Sequence, residues 1–325
     1  MKKTGSQKDF ETAGSLAKRR PELNISSSTQ LRLIESAIDM AGGEDRTPNY
    51  QHTVLCQTAL PYRRSTERVH ERRNGRTLLR VEAGSAYHED QDAWVELPLP
   101  FGPKARLVLI HLNTVAITTR SPEIDVGDSM TDFFSRVMDD PRRRIHQPRE
   151  LNGREIRAMK EQVSALAAAH IRFATGGSTQ KQGSASIISE FDLWFPKDAN
   201  QRVLWPSTVT LSLDYFVSLQ NHAVPLDPMA IAALSHSALG LDLYAWLAQR
   251  LCRVSPQGET FVPWRFVYAQ FGQGYNNIRK FRQVLLLTLK TVLSVYPKAL
   301  VRPNHEGLYL KLSPPPIERK QLLGA

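Results

Sequence analysis

The sequence predicts an α+β chain in which two helical units, each closed by a β-hairpin, follow a β-rich N-terminal extension. Three observations predict it. Residues 261–313 read as a short apolar strand, a helical turn, a glycine break, a long helix and a hairpin. Residues from about 104 to 195 read in the same order, with helix, strand, helix, long helix and hairpin. The 325 residues, enough for two ordinary domains, carry a formal net charge of +10 and a pI of about 9.7. Helix, tight turn, helix and two-stranded ribbon is the order of a winged helix, a helix-turn-helix with a β wing. Two tandem winged-helix domains are therefore expected, repeated in architecture and not visibly in sequence. The expected segments are a disordered basic arm with a short helix (1–50), a β-rich segment plus first winged helix (51–222), a C-terminal winged helix (223–316) and a tail (317–325).

The elements follow in order. Residues 1–27 are polar and basic, with Lys18-Arg19-Arg20-Pro21 and Ser26-Ser27-Ser28, which suits a disordered arm. Ser28 or Thr29 can cap a short helix striped by Leu31, Ile34 and Ile38, and Gly42-Gly43 ends it. Val54-Leu55-Cys56, Thr77-Leu78-Leu79-Arg80-Val81 and Trp94-Val95-Glu96-Leu97 are β-prone runs between Pro, Gly and polar turns. A helix is expected over 104–116 and a strand at Glu123-Ile124-Asp125-Val126. Ser129 with Asp132 opens a helix bearing Phe133, Phe134 and Val137. Arg142-Arg143-Arg144 sits in the loop after it. Asn152 with Glu155 three residues on opens the first unit's long helix, striped by Ile156, Met159, Val163, Leu166 and His170. Two strands, 171–173 and 186–195, close the unit across a Gly-rich tip. Further on, 212–220 is a short helix. Asp227-Pro228, a cap followed by proline at the first helical position, starts a helix over 229–253.

The last helix is expected over 276–296 and has two faces. Ile278, Phe281, Leu285, Leu289, Val292 and Tyr296 recur at steps of three and four and form a stripe to be buried. Opposite lie Asn276, Arg279, Lys280, Gln283, Leu287 and Lys290. Such a set suits a major groove: Arg for guanine, Asn or Gln for adenine, Lys for phosphate, an aliphatic side chain for the thymine methyl. A merely solvated charged face is the bland alternative, and the glycine turn before the helix and the hairpin after it argue against it. In the first unit the corresponding face, Arg154, Arg157, Ala158, Glu161, Ser164 and Ala165, is less basic and richer in small residues. It fits phosphate contact at its N-terminal end or a protein interface.

Charge and motifs also exclude. The basic balance favours a polyanionic partner, nucleic acid before membrane surface. No apolar run is long enough to span a bilayer. Met1-Lys2-Lys3 has no apolar core behind it, so no signal peptide is expected. Cys56 and Cys252 alone make neither a metal site nor a disulfide framework, and buried thiols in a reducing cytoplasm are expected. No P-loop occurs. The nine histidines lack metal-site spacing, and the aspartates from Asp125 to Asp140 read as caps and first-turn charges rather than a nuclease centre. No catalytic residue, metal or cofactor is expected.

Several longer strings carry a resemblance. They are Gln57-Thr58-Ala59-Leu60-Pro61-Tyr62-Arg63, Leu99-Pro100-Phe101-Gly102-Pro103-Lys104 and Gly153-Arg154-Glu155-Ile156-Arg157-Ala158-Met159-Lys160. To these add Phe191-Asp192-Leu193-Trp194-Phe195-Pro196, Arg202-Val203-Leu204-Trp205-Pro206-Ser207, the run from His236 to Leu251, and Phe271-Gly272-Gln273-Gly274-Tyr275. Through them residues 52–316 resemble the plasmid-encoded RepA replication initiators. The resemblance implies a non-enzymatic protein that binds repeated origin sequences (iterons), opens an AT-rich segment and recruits the host initiator and replicative helicase. It also implies repression of its own promoter as a dimer. A winged-helix repressor without initiator activity is the alternative. The expected DNA contacts are Asn276, Arg279, Lys280, Gln283, Lys290 and the wing residue Arg302 in the second unit. In the first they are Arg142, Arg143, Arg144, Arg154 and Arg157.

Overall fold

The structure is a computed structural model that describes residues 46–88, 92–126, 129–138, 151–175, 181–184, 187–190 and 208–317. The basic arm with its short helix, the Arg142-Arg143-Arg144 run, residues 176–180 of the Gly-rich tip, the strings around Trp194 and Trp205, and the end of the tail lie outside the described residues; residues 181–183 of that tip, expected in a turn, are instead strand. The chain is a mixture of helix and sheet.

β1 (Asn49–His52) comes first. The run Val54-Leu55-Cys56, expected as a strand, is instead the short helix α1 (Thr53–Gln57). His52 decides this locally, because its Nδ1 accepts the Val54 N–H at 3.2 Å and caps the turn. β2 (Val69–Asn74) and β3 (Thr77–Glu82) form a hairpin. β4 (Ser85–His88) and β5 (Ala93–Glu96) form a separate ribbon. α2 (Gly102–Thr119) is buried around most of its circumference and is the first unit's central helix. After β6 (Glu123–Asp125), Ser129 Oγ accepts the Asp132 N–H and caps α3 (Met130–Val137). The Asn152/Glu155 capping box is formed in both directions and opens α4 (Gly153–Ala168). Met159, Val163 and Leu166 are buried as the periodicity requires, whereas His170 is exposed at the start of β7 (His170–Thr175).

β7 continues into β8 (Lys181–Ser184), and β9 (Ile188–Glu190) and β10 (Thr208–Leu211) follow. The first unit's hairpin differs from expectation here. β7 does not pair with β9. It pairs with β3 on one side, Val81 opposite Ile171, and with β8 on the other, so the four-stranded sheet runs β2-β3-β7-β8. The residues alternate correctly for a strand, but the partner lies about ninety residues upstream, beyond the reach of any local pattern. β9 pairs instead with β10, which also pairs with β6, giving the order β6-β10-β9.

α5 (Leu213–His222) is capped by Ser212 and leads into β11 (Ala223–Leu226), antiparallel to β1. Asp227 Oδ1 accepts the Met229 N–H, and Pro228 is the first residue of α6 (Pro228–Leu234). The single helix expected over 229–253 is broken. Ser237 Oγ accepts the Gly240 N–H and starts a new helix, α7 (Ala238–Leu251). The second unit continues with β12 (Glu259–Pro263), α8 (Trp264–Phe271), α9 (Ile278–Ser294), β13 (Val301–Pro303) and β14 (Gly307–Lys311). Its sheet runs β12-β14-β13. Both three-stranded sheets thus place the last strand in the middle, between the strand that precedes the two closing helices and the strand that follows them.

One continuous buried cluster extends from Tyr50 to Leu310. α7 is its axis, packed against α1, α2 and α9. Arg106 of α2 is only 3 % exposed and forms a bidentate pair with Asp242 of α7, at 2.6 Å to Oδ1 and 2.7 Å to Oδ2. The remaining guanidinium hydrogens go to the carbonyls of Leu60, Pro61 and Gly102. Burial pulls the Asp242 carboxyl above the usual range, and Arg106 opposes this. The pair costs desolvation energy that its geometry and extra hydrogen bonds largely offset, so its effect is to fix how α2 meets α7. Cys56 is buried as expected, but Cys252 is exposed, since it caps the end of α7 where the chain turns outward.

Candidate nucleic-acid interface

The second unit's two closing helices are joined by a tight turn that only glycine allows. A Cβ on Gly272 would lie 2.4 Å from the Tyr268 ring and 2.5 Å from the Tyr268 carbonyl oxygen. Gly274 adopts φ +78, in the left-handed region that favours glycine. The Tyr268 hydroxyl donates to the Tyr275 carbonyl and closes the turn. Asn277 then accepts the Arg279 N–H at 2.8 Å through its side-chain oxygen, so α9 begins at Ile278. Asn276, expected on the helix face, lies one residue before this cap, exposed in the turn.

Phe281, Leu285, Leu289 and Val292 are buried on one side of α9. Ile278, expected in that stripe, is 40 % exposed because it sits at the open first turn. On the other side Arg279, Lys280, Gln283, Leu287 and Lys290 are all exposed. α9 contains no acidic residue, and from Thr260 to His305 the chain carries seven Lys or Arg and no Asp or Glu. No carboxylate of the described residues forms an ion pair with Arg279, Lys280 or Lys290. Their charge is therefore left facing solvent. Arg282, which periodicity had not singled out, is instead held 4.8 Å over the Trp264 ring and belongs to the packing between α8 and α9.

The hairpin after α9 is anchored to α8. Trp264 Nε1 donates to the Asn304 carbonyl at 3.0 Å, and Asn304 Oδ1 accepts the Glu306 and Gly307 N–H groups, each at 2.8 Å. Arg302 was expected to hold phosphate from the wing. It is exposed but committed: 3.2 Å from Glu259 and stacked 4.4 Å over Tyr309. Lys311 shares the same carboxylate at 3.3 Å. The Lys311 and Arg302 contacts hold the Glu259 carboxyl below the usual range.

The turn is also clamped from the N-terminal segment, which no local pattern announces. Gln270 Nε2 donates to the Gln57 carbonyl at 2.8 Å, and Asn74 Nδ2 donates to the same oxygen at 3.0 Å. His70 Nε2 donates to the Ala59 carbonyl at 2.8 Å, which leaves Nδ1 to accept from Gln273 Nε2 at 3.4 Å. Burial lowers the His70 pKa to about 4, so the ring stays neutral and keeps that acceptor. The clamp residues are some two hundred positions apart in the chain, and only the fold brings them together.

In the first unit Arg154 and Arg157 are exposed in the first two turns of α4. The small-residue face beyond them is not open. Ala165 is 0 % exposed, and Glu161 pairs with Arg64 at 2.8 Å. The expected protein interface through Ala165 is therefore filled by the protein's own core. Among the described residues no group of three or more His, Cys, Asp or Glu could hold a metal ion. Among them too, no helix is long and apolar enough to cross a membrane.

The sequence profile of the plasmid-encoded RepA protein family matches residues 99–265, half of the chain, so the chain belongs to that family. It is thereby a plasmid replication protein. The match is narrower than the expected 52–316 and ends at the start of α8, so α9 and its hairpin lie beyond it. No curated protein matches the chain. Two solved structures are similar. A selenomethionine derivative of domains 2 and 3 of RctB has a TM-score of 0.49 and 10 % identity, covering 80 % of this chain and 98 % of that one. RctB domains 2–3, residues 155–483, has a TM-score of 0.45 and 9 % identity, covering 78 % and 85 %. Three of the strings that carried the resemblance meet in the structure: Leu60 and Pro61, Gly102, and Asp242 all converge on Arg106. At that point those strings help hold the fold together.

Proposed function

We propose that this chain is a plasmid replication initiator that binds repeated origin sequences as duplex DNA, with α9 as the helix that enters the major groove. One observation carries this: the outward face of α9 presents Arg279, Lys280, Gln283 and Lys290, exposed and without carboxylate partners among the described residues, on a helix held by a glycine turn and followed by a hairpin. The matching strand orders β6-β10-β9 and β12-β14-β13 support two tandem winged helices, with β9–β10 and not β7–β8 as the first wing. In this reading Arg279 and Gln283 contact bases near the helix start, and Lys280 and Lys290 contact phosphates. Arg302 sets the wing's shape more than it holds phosphate. Asn276, Arg154 and Arg157 add phosphate contacts. The family implies the rest: opening of an AT-rich tract, recruitment of the host initiator and helicase, autoregulation as a dimer, no enzymatic step and a cytoplasmic setting. Footprinting on the plasmid's own origin tests it. Protection of direct repeats spaced by whole helical turns beside an AT-rich tract is expected. Protection confined to one inverted repeat would favour a repressor, and no protected site would end the DNA-binding reading.

A further inference from the structure

Leu287 stands out on the cationic face. It is 66 % exposed, the most exposed large apolar side chain of the second unit, and it lies mid-face rather than at a rim. At 100° per residue, Lys290, Gln283 and Leu287 fall within about 60° of arc on the crown opposite the buried stripe. Gln283 is one turn before Leu287, and Thr291, one turn after it, folds its hydroxyl back onto the Leu287 carbonyl at 3.3 Å. Among the described residues the isobutyl group is left largely uncovered. If the crown enters the major groove, Leu287 enters with it, flanked by a base reader and a phosphate ligand. The apolar feature that a base edge presents there is the thymine C5-methyl group.

We infer that Leu287 is a specificity-determining residue that reads a thymine methyl. The inference rests on α9 being the reading helix. Leu287 lies about 6 Å along the helix from Gln283, close to two base steps, so the thymine belongs within two or three base pairs of the base that Gln283 contacts. A cationic side chain at 287 would add affinity for every sequence alike. Leucine instead penalises any site that leaves it against a polar base edge.

The test uses the full-length chain. Selection from a randomised duplex yields the preferred site, and each thymine in it is then replaced, one at a time, by deoxyuridine, which lacks only the methyl. At one position the unsubstituted protein should lose roughly fourfold in affinity, the worth of about one buried methyl. Leu287→Ala should bind the thymine and uracil duplexes alike, whereas Gln283→Ala should keep the difference. Tolerance of uracil at every position would overturn the inference. So would a Leu287→Ala protein that retained the full difference, or one that retained it while losing self-association by sedimentation, which would make Leu287 a protein contact. If selection returned no preferred sequence, the assignment of α9 as reader would itself fail, a result distinct from uracil tolerance on a well-defined site.

Discussion

Arg279 and Lys290 share one exposed face, yet their side chains differ in chemistry. Arg279 has a planar fork that matches guanine O6 and N7, and Lys290 is a point charge suited to phosphate. Arg279→Ala should cost about 1–3 kcal/mol on the selected site and relax preference at one base position. Lys290→Ala should weaken all sequences alike and reduce the salt slope by about one. Selection profiles and salt titrations on the two variants separate these outcomes. Buried residues answer differently. Asp242→Ala removes one partner of the Arg106 pair and leaves a guanidinium uncompensated in the core, which should cost about 3–5 kcal/mol in denaturant unfolding. Glu at Ala165 should likewise unfold the first unit rather than dissociate a dimer, visible as lost near-UV signal at any protein concentration.

At the scale of the element, the turn between α8 and α9 sets where α9 points. Gly272→Ala puts a methyl into the Tyr268 ring and carbonyl and should destabilise the second unit, while His70→Ala should loosen the turn without emptying the core. Faster amide exchange at 272–276 in His70→Ala, with a sequence-independent loss of DNA affinity, is the expected result. Much of α9 was legible beforehand, because its period of 3.6 and its glycine turn are local properties. The caps at Asp227, Ser129 and Asn152 were legible for the same reason. α1 was not, since its strand-prone residues obey a histidine cap. The break at Ser237 was not, since serine within a long apolar pattern gives no warning of a new start. The partner of β7 and the clamp on the turn depend on contacts between distant parts of the chain, and the commitment of Arg302 to Glu259 depends on the register of β12, β13 and β14.

Across the whole molecule, two bulk responses follow. With half a dozen or more phosphate contacts engaged, log K should fall with log salt at a slope of roughly −5 or steeper, and a nearly flat response would contradict phosphate tracking. Acid should weaken the fold through three histidines. Burial lowers His52, His70 and His111 to about 4. The unfolded chain takes up these protons near pH 6.5, so between pH 6.5 and 4 it binds more of them than the folded chain does. Stability is then full above pH 6.5 and declines as pH falls toward 4, by an amount on the order of 3 kcal/mol per imidazole. Denaturant midpoints at pH 7, 6 and 5 check the sign, and His70→Gln should flatten part of the slope.

The bond between Arg106 and Asp242, with β1 laid against β11, also bears on what fragments of this gene product could do. An internal translation start at Met229, or a protease cut in the preceding loop, would release a polypeptide that still contains α9. That polypeptide would lack β1 and β11, which pair with each other, and the cation facing Asp242. It would be poorly folded and prone to degradation. The stretch that holds α9 is therefore not self-sufficient, because its core is completed by a strand and a cation supplied from far upstream.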